Sequence, residues 1–393
     1  MNKKLLATAI GAALVAGPML AAQADVKIYG QAQVELGSVE PDLVDATAIA
    51  VGGLTQAEID AAEDGAMVVE DNARGRFGVY ATEDLGGGLT GLAKFEWRVD
   101  TADGERSGSS SLTARESWVG LKGGFGTFQA GNLRSAYKYT GGVKYDPFTA
   151  TILEARSRGG MTGNDLALVG STGSFGTNNF LSNSVGWMSP NWQGLKVWLT
   201  YSPDEEGDTR GSDGDYSASV LYGTKQWEVF AAAITNDQEN QTGTLPGLAA
   251  TVEPEYDSVK VGGMISLGNA GKISAQYEMS EGTVWDENLD FVYDNLGANF
   301  VETDSEITTM FVGYQLPFAG KWTAALNYGQ QEWDIDALAG CLTCGGTIDV
   351  DYYTVGAIYK FSKQTRFFAG ISSTEIDGVG EEDVISAGLR KDF

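Results

Sequence analysis

Residues 383–393 read Asp-Val-Ile-Ser-Ala-Gly-Leu-Arg-Lys-Asp-Phe, and their polarity alternates. Ile385, Ala387, Leu389 and Phe393 point one way; Ser386, Gly388, Arg390 and Asp392 point the other. A period of two marks a strand with two different faces. The strand finishes on a bare aromatic ring, at a position where polar, frayed residues are the rule. Such a strand needs cover for its ring and partners for its ladder of N–H and C=O groups. The expected partner is the first strand of the chain, because closing a sheet into a barrel removes its edges. Phe393 is thus expected at the barrel closure. Lys391 interrupts the apolar face and is expected to snorkel to an interface.

The other end supplies a matching strand. Met1 to Ala24 reads as a cleaved signal peptide: basic Lys3 and Lys4, an apolar run from Leu5 to Leu20, and small residues at Ala22-Gln23-Ala24. The run is short and holds Thr8, Gly11, Gly17 and Pro18, which argues against an anchor. From Asp25 onward Val26, Ile28, Ala32, Val34 and Leu36 alternate with Lys27, Tyr29, Gln31, Gln33 and Glu35. Residues 25–393 are therefore expected to form a single domain.

Composition narrows the function. The chain has 393 residues, Lys+Arg 26 against Asp+Glu 53, and a net charge of −27. Nucleic acid is not an expected partner, since phosphates need a basic footprint. The acids gather in loop-like segments such as Asp204-Glu205-Glu206-Gly207-Asp208 and Glu381-Glu382-Asp383. These read either as a solvated surface or as a face that binds cations, including divalent ions bridging to anionic lipid headgroups. The absence of histidine (His 0) removes Ser-His hydrolases, His-ligated metals and a His general base. Cys341 and Cys344 form a CxxC, which in an oxidising compartment reads as a small loop disulfide, with redox chemistry as the other reading. Two thiols without histidine do not complete a zinc site. No cofactor, metal or catalytic site is expected.

Strand pairs recur along the chain. After a polar stretch from Ser38 to Asp71, Ala73, Gly75, Phe77, Val79 and Ala81 alternate with Arg74, Arg76, Tyr80 and Thr82. A tight turn at Asp84–Gly88 leads to Lys94, Glu96, Arg98 and Asp100 alternating with Phe95, Trp97 and Val99. Further pairs fall at 112–122 with 127–132, 182–189 with 195–201, and 216–223 with 227–235. Others are 256–267 with 272–279, 305–316 with 321–330, and 351–361 with 365–375. With both terminal strands the total is about sixteen. Short turns alternate strictly with long loops, and the strands carry one apolar and one polar face. Both regularities predict an all-β, antiparallel, transmembrane up-and-down barrel, apolar outside and polar within. Trp97, Tyr201, Trp227, Trp322, Tyr359, Phe361 and Phe393 would form its interfacial girdles.

Four stretches resemble Gram-negative general porins: Arg115-Glu-Ser-Trp-Val-Gly-Leu-Lys-Gly-Gly-Phe-Gly-Thr-Phe-Gln-Ala-Gly131, Ala73-Arg-Gly-Arg-Phe-Gly78, Asn183-Ser-Val-Gly-Trp-Met-Ser-Pro190, and Ala387-Gly-Leu-Arg-Lys-Asp-Phe393. The resemblance implies a homotrimer of sixteen-stranded barrels in the outer membrane, each with its third loop folded into its own pore. It implies as partners outer-membrane lipids, lipopolysaccharide, and small hydrophilic solutes and ions diffusing passively. It also makes Phe393 resemble the signal read by outer-membrane assembly machinery. Asn132 stands where such porins usually have Arg after Gly131, and the Asn183 segment lacks the Arg that often precedes it. The basic wall of the pore is thinner than usual in those two places.

The pore constriction follows from alternation and hairpin adjacency. Arg74, Arg76, Lys94, Arg98 and Arg115 fall on the charged faces of neighbouring strands and form a candidate basic wall. Pairing with Glu96, Glu116 or Asp100 is the alternative role for them. Glu116 is expected to face away from Arg115. By resemblance, the acids of the loop from Leu133 to Leu181, namely Asp146, Glu154 and Asp165, face that wall. Opposed charges there would set a transverse field that filters solutes by size and charge. The acidic balance predicts a weak preference for cations. A substrate-specific uptake barrel, a barrel enzyme and a secreted soluble β-protein are the competing readings. A phosphate channel would need a basic ladder along the lumen, which this acidic chain is not expected to supply, and a sugar channel would need a run of aromatics, whereas Tyr29, Tyr80, Trp198 and Tyr352 are scattered.

Overall fold

The computed structural model describes residues 24–43, 65–71, 75–102, 112–138, 140–161, 180–203, 214–237, 241–245, 248–252, 255–285, 302–335, 346–378 and 380–393. The expected signal peptide, together with Arg74, Asp165, Cys341 and Cys344, lies outside these residues (only Ala24 of the signal falls within them). The first half holds β1 (Asp25–Leu43), β2 (Ala66–Glu70), β3 (Arg76–Gly86), β4 (Leu89–Val99), β5 (Leu112–Gly123), β6 (Gly126–Arg134), β7 (Phe180–Met188), β8 (Leu195–Ser202) and β9 (Asp215–Gly223). The second holds β10 (Trp227–Asp237), β11 (Gln241–Leu245), β12 (Leu248–Val252), β13 (Glu255–Ser266), β14 (Lys272–Trp285), β15 (Glu302–Phe318), β16 (Trp322–Ile335), β17 (Gly346–Lys360), β18 (Thr365–Ile376) and β19 (Gly380–Asp392).

Consecutive strands pair antiparallel around a closed circuit. β1 meets β19 from Gln31↔Asp392 to Leu43↔Gly380. Its other edge takes β3 along Asp25–Gln31 and β2 along Glu35–Val39. β2 and β3 are thus two parts of one interrupted stave, and the barrel has 16 staves. β11 and β12 form a separate two-stranded sheet. A circuit of this size leaves room for an aqueous channel.

The seam joins both ends of the circuit. Gly30 N–H donates to the Phe393 carbonyl at 3.0 Å, and Phe393 N–H donates to the Gly30 carbonyl at 3.1 Å. The Phe393 ring lies directly on Gly30, where a Cβ would fall 2.4 Å from Cζ. Only glycine admits that ring.

The faces sort as an inside-out protein. Val34 and Leu36 are 39% and 53% exposed, whereas their neighbours Gln33 and Glu35 are 1% exposed. Val259 and Val261 are likewise exposed beside buried Lys260, and Ile385 beside buried Ser386. Aromatic rings gather near the short turns: Trp322 lies 6.2 Å from Phe318 and 4.9 Å from Tyr359, which contacts Phe361. Trp227 packs on Tyr222, and Tyr201 stacks on Tyr216 toward the long-loop end. Such rings suit a membrane–water boundary.

Three boundaries differ from the sequence reading. β1 continues to Leu43, because its upper half pairs with β19 throughout. β2 lies within the stretch read as a polar loop; five residues are too few to show a period alone. Pro317 and Phe318 belong to β15, not to the turn, with Pro317 at a strand end where a missing N–H is tolerated.

Candidate functional site: a charged wall facing a docked loop

The third long connection, between β6 and β7, enters the barrel. Its start is held by Thr200 and Ser217, whose hydroxyls accept from Ala136 and Tyr137 N–H at 3.2 and 2.8 Å. Tyr137 then donates to Glu278, and Gln276 accepts from Gly142 N–H at 2.6 Å. Farther round, Tyr145 meets Glu228, Asn327 meets Asp146, and Tyr352 donates to the Leu153 carbonyl. The circuit ends where Glu35 accepts from Ile152 N–H, Gln33 donates to the Ala150 carbonyl, and Arg158 pairs with Glu382. Burial lowers the Arg158 guanidinium to about 10, so it stays charged at neutral pH.

Apolar packing reinforces these bonds. Phe148, Ile152 and Leu153 fill a cluster with Ala325, Ile358, Phe368 and Val384 of the wall. Tyr145, Ala155 and Met161 do the same with Phe230, Phe311 and Tyr352. At one point backbone meets backbone: a Cβ on Gly329 would fall 2.3 Å from Gly160 Cα.

This docking relocates two predicted site residues. Asp146 accepts from Phe148 N–H and Ala155 N–H at 2.8 Å and from Asn327 at 2.9 Å. Glu154 accepts from Ala150 N–H at 2.7 Å and binds Arg156 and Ser157. They are 6% and 1% exposed. Both are turned into the docked loop, and Asp146 lies near enough to Arg366 of the wall to attract it. Their oxygens are consumed in folding the loop on itself and on β16, because an apolar interface cannot hold an unpaired carboxylate.

The bonds that dock the loop, made by the described residues, fall on β8–β10, β14, β16, β17, β19 and β1. On the β3–β5 wall Glu96 accepts from Tyr29 at 2.8 Å and from Arg115 Nε at 3.0 Å. Lys94 pairs with Glu116 at 2.8 Å and Glu96 at 3.3 Å, and Arg134 reaches Glu116 at 3.3 Å. The Arg115 guanidinium and the Lys138 ammonium both lie over the Phe180 ring, at 4.9 and 4.8 Å. Arg76 and Arg98 are directly opposed across β3 and β4. Arg76 Nε is buried and makes no hydrogen bond among the described residues.

Glu116 corrects the alternation argument. The β4–β5 register shifts between Glu96 and Trp97, so Glu96 opposes Glu116 and Trp97 opposes Ala114. Arg115 is the extra residue of this bulge, which turns it and Glu116 to the same side. Asn132 supports the distortion by donating to the Arg115 carbonyl at 2.8 Å. The residue that departs from the usual pattern therefore secures the geometry of the wall. Pairing of Lys94 and Arg115 with Glu96, the alternative role, is also what the geometry contains. Two lumen-side arginines, Arg366 and Arg390, were not among the expected wall residues. Their parity is legible in the sequence; their nearness to Arg76 is not.

A closed sixteen-stave barrel with a loop docked inside it is a channel architecture, and comparison with known proteins supplies the family. The profile of Gram-negative porins matches residues 7–378. The chain belongs to that family. The major outer membrane protein P.IB of Neisseria gonorrhoeae is 25% identical over 406 residues, covering 98% of this chain and 97% of that one. P.IB of Neisseria meningitidis serogroup B is 34% identical over 146 residues, 36% of this chain and 37% of that one. Among solved structures, the anion-selective porin from Comamonas acidovorans superposes with a TM-score of 0.66 at 19% identity, over 94% of this chain and 100% of that one. OmpF of Salmonella typhi in complex with daunomycin gives 0.58 at 15% identity, over 94% and 97%. These likenesses establish the fold. This porin is a channel of the Gram-negative outer membrane, crossing it with many strands. In such barrels short turns face the periplasm and long loops the exterior.

Proposed function

We propose that this porin is a passive diffusion channel for small hydrophilic solutes whose constriction favours anions. The observation that carries the reading is how charge is distributed between the two faces. Arg76, Lys94, Arg98, Lys360, Arg366 and Arg390 carry lumen-facing parity on their strands, the last strands sharing it with the loop-binding Tyr352 and Thr374. The acids of that face, Glu35, Glu96, Glu116, Glu228, Glu278 and Glu382, are each bonded to a loop or wall partner. Acids near the long-loop ends, such as Glu40, Glu281, Glu306, Glu375 and Asp383, have the opposite parity and are exposed on the outer face. The cation preference expected from net charge loses its support, since the sign of the whole chain is not the sign of its pore. Potentials of the lining residues govern permeation, because charges beyond about 8 Å are screened at physiological salt.

Reversal potentials in a KCl gradient test this. Chloride is expected to be the more permeant ion, and a clear potassium preference would overturn the reading. Replacing Arg76 and Arg115 together by Ala should move the reversal potential toward cations.

The channel works as a homotrimer released from residues 1–24 by signal cleavage. OmpT of Vibrio cholerae, solved in a trimer form, superposes at a TM-score of 0.55. The exposed apolar belt leaves area for both subunit contact and outer-membrane lipid, lipopolysaccharide included. Heat-modifiable trimers on gels and an N-terminus at Asp25 would support this. The reading involves no catalytic step.

A further inference from the structure

Lysines gather along one stretch of the short-turn rim. Lys321 sits in the turn between β15 and β16, Lys363 in the turn between β17 and β18, and Lys391 is the penultimate residue of β19. β15 to β19 are consecutive neighbours in the circuit, so the three lysines follow one another along its edge. Staves stand about 4.8 Å apart, which gives the stretch a length of roughly 20 Å. All three side chains are exposed, and none takes part in an ion pair among the described residues. Lys321 Nζ donates to the Phe361 carbonyl at 3.1 Å. Lys391 opposes Ala32 and Thr365 on the outward face of β19, between the exposed Leu389 and Phe393.

The rings beside these lysines fix their depth. Phe318, Trp322, Tyr359 and Phe361 form one chain of contacts across the two turns. Such rings mark the boundary between hydrocarbon and headgroups. Lys321 and Lys363 lie just beyond them on the turn side, at headgroup depth. The charge of this rim is opposite to that of the other end of the same staves. There Glu281 opposes Glu306, Glu40 opposes Asp383 and Asp42 opposes Glu381. Acids at the short-turn end lie off the stretch or are engaged. Asp25, Glu83 and Asp84 belong to β1 and β3, and Glu228 and Asp392 pair with Lys144 and Arg390. An anionic headgroup is therefore drawn to the short-turn end of this side and repelled at the long-loop end.

We propose that the rim from Lys321 to Lys391 binds anionic phospholipid of the periplasmic leaflet, its lysines taking headgroup phosphates while the ring cluster packs on the lipid beneath them. The occupant is a lipid rather than a soluble acidic partner because Lys391 stands on the face turned to the bilayer. Snorkelling accounts for one lysine on an apolar face. It does not account for lysines on successive turns with no acid among them. The binding surface is the same whichever ion the pore prefers.

The test is lipid retention by the folded protein, read by native mass spectrometry after release from bilayers of phosphatidylethanolamine and phosphatidylglycerol in equal amounts. Phosphatidylglycerol is expected to be retained over phosphatidylethanolamine, and less so at high salt. Lys321→Gln, Lys363→Gln and Lys391→Gln should each lower that preference about fivefold, the usual worth of one lysine against an anionic lipid. The triple variant should bring the two lipids level. Arginine in place of each lysine keeps the charge and should keep the preference. Lys225→Gln, in the β9–β10 turn beside Trp227, should leave it unchanged. Heat-modifiable migration identifies folded variants, and the single variants carry the test if the triple variant fails to fold. Equal retention of both lipids by the native protein overturns the proposal, as does a preference indifferent to the three lysines. Lipopolysaccharide displacing phosphatidylglycerol from those lysines would assign the rim to the other leaflet's lipid and overturn it too.

Discussion

Asp146 shows how burial changes the meaning of a single residue. In the sequence it is an acid in a pore loop; in the structure it is the acceptor around which that loop folds. Burial pushes its carboxyl up to about 6, against an ordinary value near 4, even though three donors favour the ionised form. A carboxyl whose pKa rises on docking binds its proton more tightly in the docked state. Its contribution is therefore fully present below about pH 4 and is lost as pH rises through about 6. The loop should be held more firmly at pH 5 than at pH 7.5. Hydrogen exchange at the Phe148 and Ala155 amides, corrected for intrinsic rates, should show greater protection at the lower pH. Asp146→Asn should abolish that difference and raise exchange at both pH values, because one acceptor oxygen becomes a donor facing an N–H. Equal protection at both pH values in the native protein would remove Asp146 from this role.

At the level of elements, the loop and the seam each depend on a close approach that only glycine allows. Gly329 of β16 touches the backbone of Gly160. Gly329→Val should push the loop from the wall at a cost of about 1–3 kcal/mol, the usual penalty of overpacking. Increased open-channel noise with an intact barrel is the expected record, and unchanged noise would count against docking at that point. At the seam, deleting Phe393 removes two mutual backbone bonds with Gly30 and the ring that covers it. A loss of about 2–3 kcal/mol follows from those contacts, read as a lower midpoint for heat-induced conversion of the folded form. The elements themselves were mostly legible, because lipid on one side and water on the other impose a period of two on each strand. β2 escaped because it is short, and the bulge at Arg115 because alternation cannot register an extra residue. The destination of Asp146 and Glu154 escaped for another reason. Whether a loop acid lines a pore or bonds its own backbone depends on how the loop folds, and no local pattern records that.

For the whole molecule, the acids divide between two places: some are bonded inside the barrel, as Glu35, Glu96 and Glu278 are, and others lie on the outer face. Opposed acids ring the outer face near the long-loop ends: Asp257 meets Glu281, Glu281 meets Glu306, and Glu40 meets Asp383. Neutralising the last pair as Glu40→Gln with Asp383→Asn should stabilise the barrel by about 0.2–1 kcal/mol, by relieving like-charge repulsion. It should leave the reversal potential where it was, since the wall stands between those acids and the lumen. A shift toward anions on neutralising them would show that the outer belt does set selectivity. The sequence by itself determined an inside-out barrel, its closure through residues near Asp25 and Phe393, and a lumen bearing charge. Those follow from which residue types alternate, a property of each strand alone. Only the tertiary structure decided which charges meet. Arg76 and Arg390 are more than 300 positions apart in the chain, and their proximity comes from stave tilt, register and closure, which belong to the circuit as a whole.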